Sequence, residues 1–202
     1  MDTLDAIKQR RSVKHYNPDH NLSDDEISRL MSLAVLSPTS YNMQNWRFVL
    51  VKDHEVRKKI RSAAWDQAQV TDSSLLLVLC ADLKAWKKNP AQYWKNAPKD
   101  AQDFLVHSMG PFYEGNDQLQ RDEAMRSCGI AAQTIMLAAK SIGYDTNPMI
   151  GFDPQKVGNI INLPDDHVIS MLIAVGKQIK PAMPRGGQLP LSDVVFTDKF
   201  PS

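Results

Sequence analysis

Residues 75–80 read Leu-Leu-Leu-Val-Leu-Cys, six consecutive positions without a polar side chain. A strand with one face in water alternates apolar and polar residues, so this unbroken run predicts a strand that is buried on both faces. Even when it is extended to Ala81, the run is far too short to cross a bilayer. Residues 168–175 predict a second buried strand, and residues 47–51 a further strand. A few separated strands among helices indicate an α+β fold, and 202 residues can form one domain with an ample core.

Apolar residues at helical spacing predict the helices. The best-marked start is at Ser23, which can form a capping box with Glu26, and Pro38 ends this helix. The longest helix is predicted at 121–142, where a stripe rich in small residues allows close packing against another helix. Gly143 is expected to end it as the C′ residue. Three shorter helices are predicted at 3–10, 54–65 and 154–161.

The chain from Lys180 onward combines prolines with apolar side chains. The prolines are Pro181, Pro184, Pro190 and Pro201, and they argue against regular secondary structure in this segment. Its apolar side chains need a surface to pack against. These residues are Leu189, Leu191, Val194, Val195, Phe196 and Phe200. We therefore interpret 180–202 as an extended arm that packs across a partner subunit, which predicts a homodimer.

The overall composition excludes several classes of function. A formal net charge of +1 gives no electrostatic case for binding nucleic acid or an anionic membrane. The N-terminus lacks the basic start and apolar segment of a signal peptide, so a cytoplasmic protein is expected. Cys80 and Cys128 lie in apolar patterns and are expected to be inert core thiols. The five histidines have no metal-ligand spacing, so no metal site is expected.

Residues 10–14, Arg-Arg-Ser-Val-Lys, form the first candidate ligand site. Arg offers a planar fork of donors and Lys a point charge, which suits a phosphate dianion. The alternatives are a solvated basic loop, or a phosphorylation site at Ser12 for a basophilic kinase. Arg185, in the Pro-Arg-Gly-Gly sequence of the tail, is a surface cation unless the tail folds back and supplies a further phosphate ligand.

Residues 37–46 form a second polar cluster of hydroxyls and amides, suited to a polar ligand without strong charge. The alternative is a plain connection, although ten residues exceed what such a connection needs. Together the two clusters suggest a phosphorylated, polyhydroxylated cofactor. Residues 147–154 are either a turn made by Pro and Gly or a place where Gly151 lets backbone groups approach a planar ring. The aromatic, Lys-rich segment 85–113 is only faintly similar to a nucleic-acid surface, and we interpret it as a mobile wall over an active site.

Four motifs, taken in order, resemble the FMN-dependent nitroreductase family. The first is Arg-Arg-Ser-x-Lys at 10–14, and the second is Ser-Pro-Thr-Ser-x-Asn-x-Gln-Asn-Trp at 37–46. The third is Pro-Met-Ile-Gly-Phe at 148–152, and a loose Pro-Arg at 184–185 is the fourth. The ordered set spans nearly the whole chain and is more specific than any single motif.

The resemblance implies a nitroreductase-like α+β fold, with a central, mostly antiparallel sheet flanked by helices. It also implies an intertwined homodimer with exchanged C-terminal arms and two FMN sites at the subunit interface. One chain would hold the phosphate and ribityl groups through Arg10, Arg11, Ser12, Lys14 and Arg185. The other chain would contribute Pro38, Thr39, Ser40, Asn42 and Gln44. The isoalloxazine would be flanked by Pro148, Met149, Ile150 and Gly151, with Gln67 and Gln69 as candidates for its pyrimidine edge.

The activity implied by the resemblance is NAD(P)H-dependent reduction of nitroaromatic or quinone-like small molecules through bound FMN. Hydride would pass through flavin N5 in a ping-pong cycle that needs no catalytic side chain. The alternatives are a family member that reduces enones or free flavin, and a non-enzymatic flavin-binding or storage protein. Some members carry Glu at the position of Ile150 and Lys at that of Gln69. This chain departs from them at both positions, so Lys14 is left as the candidate cation near the flavin N1/C2 carbonyl.

Overall fold

A computed structural model describes residues 1–201 as an α+β fold around a four-stranded sheet. The strands are β1 (Trp46–Val51), β2 (Leu75–Asp82), β3 (Asp145–Met149) and β4 (His167–Gly176). The helices are α1 (Thr3–Gln9), α2 (Asp24–Ala34), α3 (His54–Ala63), α4 (Gln69–Asp72), α5 (Lys99–Tyr113), α6 (Asp117–Ser141), α7 (Pro154–Ile160) and α8 (Leu191–Val194). Short 3₁₀ turns cover Ser40–Asn42, Ala85–Lys87 and Pro90–Trp94. The strand order is β1-β2-β4-β3, and all three neighbouring pairs are antiparallel.

Strand β2 is buried at all of its positions, which confirms the prediction of a strand covered on both faces. Its alternate side chains enter two separate hydrophobic clusters. Leu77 and Leu79 face the cluster that contains the small residues of α6. Leu76 and Val78 face the cluster formed with α3 and α7. Helices therefore lie on both faces of the sheet, as the uninterrupted apolar run requires.

The long helix α6 confirms the predicted small-residue stripe. Cys128, Ala131 and Ile135 are fully buried in the same cluster as β2. The helix starts four residues earlier than predicted, because the side chain of Asn116 caps it by accepting from the backbone N–H of Leu119 at 3.0 Å. It ends at Gly143, whose φ of +85° is the left-handed conformation expected of a C′ residue.

The predicted capping box at the start of α2 is present. The Ser23 hydroxyl accepts from the backbone N–H of Glu26 at 3.2 Å, and the Glu26 carboxylate accepts from the backbone N–H of Ser23 at 2.8 Å. The second carboxylate oxygen of Glu26 accepts a hydrogen bond from the Tyr144 hydroxyl at 2.6 Å. The start of α2 is therefore fastened to the residue that precedes β3.

Two expectations about regular structure need correction. Residues 145–149 form strand β3 and not only a turn, since an edge strand tolerates Pro148. The prolines of the tail do not exclude every helical turn, because Pro190 (φ −55°) stands at the N-cap of the short helix α8.

The apolar face predicted for α1 exists but is open to solvent, with Leu4 66% and Ile7 48% exposed. No helix within residues 1–201 has both the length and the apolar character needed to cross a membrane.

Candidate functional site

The basic segment 10–14 lies along the free edge of β3. Ser12 and Thr146 form a parallel bridge, and the backbone N–H of Val13 donates to the carbonyl oxygen of Thr146 at 3.1 Å. Thr146 stands two residues before Pro148 on β3, and by Tyr16 the segment has turned away to pair with Gln178 beyond the end of β4. Two of the motifs found in the sequence are therefore neighbours at one edge of the sheet.

The tail folds back onto this segment. A guanidinium nitrogen of Arg11 donates to the carbonyl oxygen of Met183. Arg185 donates to the carbonyl oxygens of Lys8 at 3.0 Å and of Arg10 at 3.4 Å. These contacts enclose a cavity of about 590 Å³ between residues 10–15 and 180–188.

This cavity concentrates positive charge. Its lining includes Arg10, Arg11, Lys14, Lys180 and Arg185, and none of the lining residues in the described chain is acidic. The pKa of Arg10 is lowered, first by burial and then by the positive charges of Arg185 and Arg11. Cations crowded together without a carboxylate partner make this cavity suited to a phosphate group.

The polar loop 37–46 holds an unusual backbone. Tyr41, Asn42 and Gln44 have φ values of 50°, 49° and 45°, a left-handed conformation that costs free energy in residues other than glycine. The turn is fixed locally because the Thr39 hydroxyl accepts from the backbone N–H of Gln44 at 2.9 Å. Strained loops of this kind persist where surrounding structure holds them and are common in binding sites.

The segment 85–113 supports this loop from outside. The Asn42 side-chain amide donates to the carbonyl oxygen of Tyr93 at 2.8 Å, and the Tyr113 hydroxyl lies 2.7 Å from the Ser40 hydroxyl. The backbone N–H of Ser40 donates to the carboxylate of Glu123 on α6 at 3.2 Å. Tyr113 and Glu123 were not anticipated from the sequence, and both contact the second motif directly.

The third motif, Pro148 to Gly151, is held by the two glutamines predicted for this region. Gln67 donates its side-chain amide to the carbonyl oxygen of Gly151 at 2.8 Å, and Gln69 donates to the Gln67 side chain at 3.1 Å. In this structure the space beside Gly151 is filled by an indole ring. A Cβ at Gly151 would lie 2.7 Å from Cζ3 of Trp65. Ile150 next to it is 80% exposed.

The chain does not bring all of its motifs together. Thr146, beside Ser12, pairs with Val175, which is opposite Leu75 at one end of β2. Trp46, at the end of the polar loop, pairs with Ala81 at the other end of β2 and at the other edge of the sheet. The two corners are separated by three strand spacings of about 4.8 Å across the sheet and by six residues of about 3.3 Å along the strands. They therefore lie more than ~20 Å apart.

One cluster of potential metal ligands is present in the described chain, formed by Asp82, Asp166 and His167. The Lys88 ammonium occupies it, 3.0 Å from both oxygens of Asp82 and paired also with Asp166. Arg47 adds a second cation 3.2 Å from Asp82. The cluster is therefore an ion-pair centre that holds the start of the 85–113 segment against the sheet.

Comparison with known proteins agrees with this arrangement of motifs. Residues 7–177 match the model of the Nitroreductase family. The chain is 48% identical to Protein DrgA of Synechocystis sp., over 98% of this chain and 97% of that protein. It is 30% identical to an oxygen-insensitive NADPH nitroreductase of Helicobacter pylori, over 87% of each chain. A protein of Exiguobacterium sibiricum, crystallised in complex with FMN, superposes with a TM-score of 0.91 at 27% identity over 98% of each chain.

The family match covers most of the chain, and the fold and the order of the motifs agree with it. The chain therefore belongs to the nitroreductase family.

Proposed function

We propose that this protein is an FMN-dependent oxidoreductase that uses NAD(P)H to reduce nitroaromatic or quinone-like small molecules. The observation that carries the proposal is the cavity of cations without carboxylate partners. Ser12 in its lining bridges Thr146 on β3, two residues before the Pro148–Gly151 motif. The FMN-bound relative and the NADPH nitroreductase described above support the same cofactor and electron donor.

The donors around the cavity fit a flavin mononucleotide. Arg10, Arg11 and Arg185 supply guanidinium groups for the phosphate, and the Ser12 hydroxyl is exposed for a ribityl oxygen. Lys14, which lines the same cavity, is the cation that we assign to the N1/C2 carbonyl of the ring. Bound FMN would accept a hydride from NAD(P)H and pass electrons to the acceptor, while the protein provides position, charge and exclusion of water.

The surroundings of Gly151 favour flat, apolar acceptors. Ile150 is 80% and Trp65 is 72% exposed, and both lie at the loop that would flank the isoalloxazine. Exposed apolar side chains next to a binding site provide area that a planar aromatic molecule can cover. Neither side chain is an acid or a base near neutral pH, which agrees with a reaction carried by the cofactor.

The separation of the motifs within one chain favours a homodimer with composite sites. The loop 37–46 lies at the corner of the sheet opposite to the basic segment, so a second copy must supply it to each cofactor. The exposed face of α1, with Leu4 and Ile7, and the exposed apolar residues of the tail provide surface for such a partner. In this proposal Pro38, Thr39, Ser40, Asn42 and Gln44 of each chain contact the FMN held by the other.

An anaerobic absorption spectrum of the purified protein, recorded before and after NADH or NADPH, tests the proposal. We expect a flavin spectrum that bleaches with the donor and recovers with a nitroaromatic or quinone acceptor. A yellow protein that does not bleach would indicate flavin binding without catalysis, and a colourless protein that does not take up FMN would refute the proposal.

The phosphate assignment has its own test in Arg11→Ala. We expect this variant to lose FMN on purification, whereas Arg29→Ala, an exposed arginine on α2, should retain it. Full flavin content in Arg11→Ala would remove the basic segment from the site.

A further inference from the structure

The side chain of Tyr113 is a buried group that the proposed reaction does not use. It ends α5, is 1% exposed, and lies against Trp86, with the two ring centroids 6.3 Å apart. Its hydroxyl makes one side-chain hydrogen bond within residues 1–201, to the hydroxyl of Ser40 at 2.7 Å. A buried phenol could serve packing alone, but this one points at a residue of the second motif.

The direction of this hydrogen bond follows from the acidity of its two ends. A phenol is more acidic than an aliphatic hydroxyl and is the better donor, so Tyr113 donates and Ser40 accepts. Burial raises the pKa of Tyr113 above its usual value, so the phenol keeps its proton at neutral pH. The proton of the Ser40 hydroxyl must then point elsewhere. Within residues 1–201 the Ser40 hydroxyl makes no other hydrogen bond, and Ser40 is only partly buried.

The remaining groups of Ser40 are already engaged. Its backbone N–H donates to Glu123, and its carbonyl oxygen accepts from the backbone N–H of Met43 at 3.0 Å. These bonds fix the backbone of Ser40, and the bond from Tyr113 restrains its hydroxyl, which keeps one donor not used within the described residues. A fixed hydroxyl with a free proton suits an acceptor oxygen or nitrogen on a ligand.

We propose that Tyr113 is a positioning residue of the cofactor site, which fixes the Ser40 hydroxyl as a donor to FMN bound against residues 38–44. The inference rests on the proposed function, because it takes FMN as the acceptor. It gives the 85–113 segment a defined role, since the end of α5 sets the donor pattern of the polar loop and therefore the affinity for the cofactor. Tyr113 itself does not touch FMN.

The test measures the affinity of the apoprotein for FMN by quenching of flavin fluorescence. Tyr113→Phe removes one oxygen and keeps the ring, and we expect an affinity about fivefold weaker, the effect of one modest hydrogen bond. Ser40→Ala should weaken binding about tenfold. The double variant should bind no more weakly than Ser40→Ala alone, since Tyr113 acts only through that hydroxyl. Tyr144→Phe, which removes a buried phenol bonded at 2.6 Å to Glu26 and outside the polar loop, should leave the affinity unchanged.

The outcomes separate the two proposals. If the wild-type protein binds FMN and Tyr113→Phe binds it equally well, the positioning role is wrong and the proposed function stands. The same holds if the losses in the two single variants add in the double variant. If the wild-type apoprotein does not bind FMN, the proposed function itself fails. Thermal unfolding of each apoprotein distinguishes a general loss of stability from a specific loss of affinity. Ser40→Thr retains a hydroxyl and should restore most of the binding that is lost in Ser40→Ala.

Discussion

The side-chain amide of Gln67 donates to the carbonyl oxygen of Gly151 over 2.8 Å, across 84 positions of the sequence. The turn that presents Gln67 is itself unusual, because Trp65 and Asp66 both have left-handed backbones, with φ of 53° and 56°. The Asp66 carboxylate accepts from Arg61 at 2.7 Å and helps to hold this turn. The turn fixes the end of the Pro148–Gly151 motif and places an indole ring against it.

The contact between Gly151 and Trp65 predicts the cost of a side chain at position 151. Gly151→Ala places a Cβ 2.7 Å from the indole, so the ring must move, and we expect the free energy of unfolding to fall by about 1 kcal/mol. In a Trp65→Ala background the same substitution should cost almost nothing. Urea unfolding measures both values. Gly110→Ala, where an added Cβ meets no atom within 4 Å, is the control, and an equal cost at 151 in both backgrounds would contradict the contact.

The hydrogen bond from Tyr144 to Glu26 predicts a dependence of stability on acid pH. The Tyr144 hydroxyl, followed by the Ser23 backbone and side chain, lowers the pKa of Glu26 from 4.5 to about 2. A lowered carboxyl pKa stabilises the fold fully above about pH 4.5, and this contribution is lost as the pH falls towards 2.

Tyr144→Phe should therefore cost about 1 kcal/mol at pH 7, and the difference from wild type should shrink towards pH 2. Urea unfolding at a series of pH values checks this, with Asp25→Asn, an exposed carboxylate on the same helix, as the control. A difference that stays constant down to pH 2 would show that the hydroxyl acts through packing and not through the Glu26 charge.

The two cysteines are expected to be unreactive in the folded protein. Burial raises the pKa of both thiols to about 12, so almost no thiolate exists at pH 8. Cys80 and Cys128 also belong to hydrophobic clusters on opposite faces of the sheet, and the Cys128 thiol is engaged with the carbonyl oxygen of Cys80 at 3.4 Å. Titration with a chromogenic disulfide should detect neither thiol in native protein and both in urea. Rapid labelling of either thiol without denaturant would contradict this burial.

The exposed tail predicts the effect of truncation. A chain that ends at Gln188 keeps Arg185 and the basic cavity but loses Leu191, Phe196 and Phe200, which are 76%, 40% and 77% exposed. If these side chains cover a partner, the truncated protein should sediment as a monomer and lose FMN while its circular dichroism persists. Removal of residues 201–202 alone is the control. A truncated protein that remains dimeric and yellow would place the interface elsewhere.

Local sequence signals predicted much of the fold. The capping box at Ser23, the C′ glycine at 143 and the buried strand at 75–80 each depend on a few neighbouring residues, and all three are present. Strand β3 gave no such signal, because it contains Asn147 and Pro148. It exists through pairing with β4 and with the distant residues Ser12 and Val13.

The motifs proposed for the site could be recognised in the sequence, but the residues that support them could not. The positions of the basic segment, the polar loop and the Gly151 motif could be read from residue types alone. Tyr113 could not, because its partner Ser40 is 73 residues away and a tyrosine at a helix end has no distinctive pattern. The turn at Trp65 was missed for a different reason, since two left-handed residues without a glycine leave no mark in the sequence. The sharing of each site between two chains remains a prediction.

The placement of the basic segment and the polar loop at opposite corners of the sheet has a genetic consequence. In the proposed dimer, a chain damaged in its basic segment and a chain damaged in its polar loop would each form only defective sites with copies of themselves. When the two are expressed together, the mixed dimer would hold one site with both lesions and one site with neither. Two inactive alleles of the same gene would therefore complement each other. At most half of the sites in each mixed dimer would be restored.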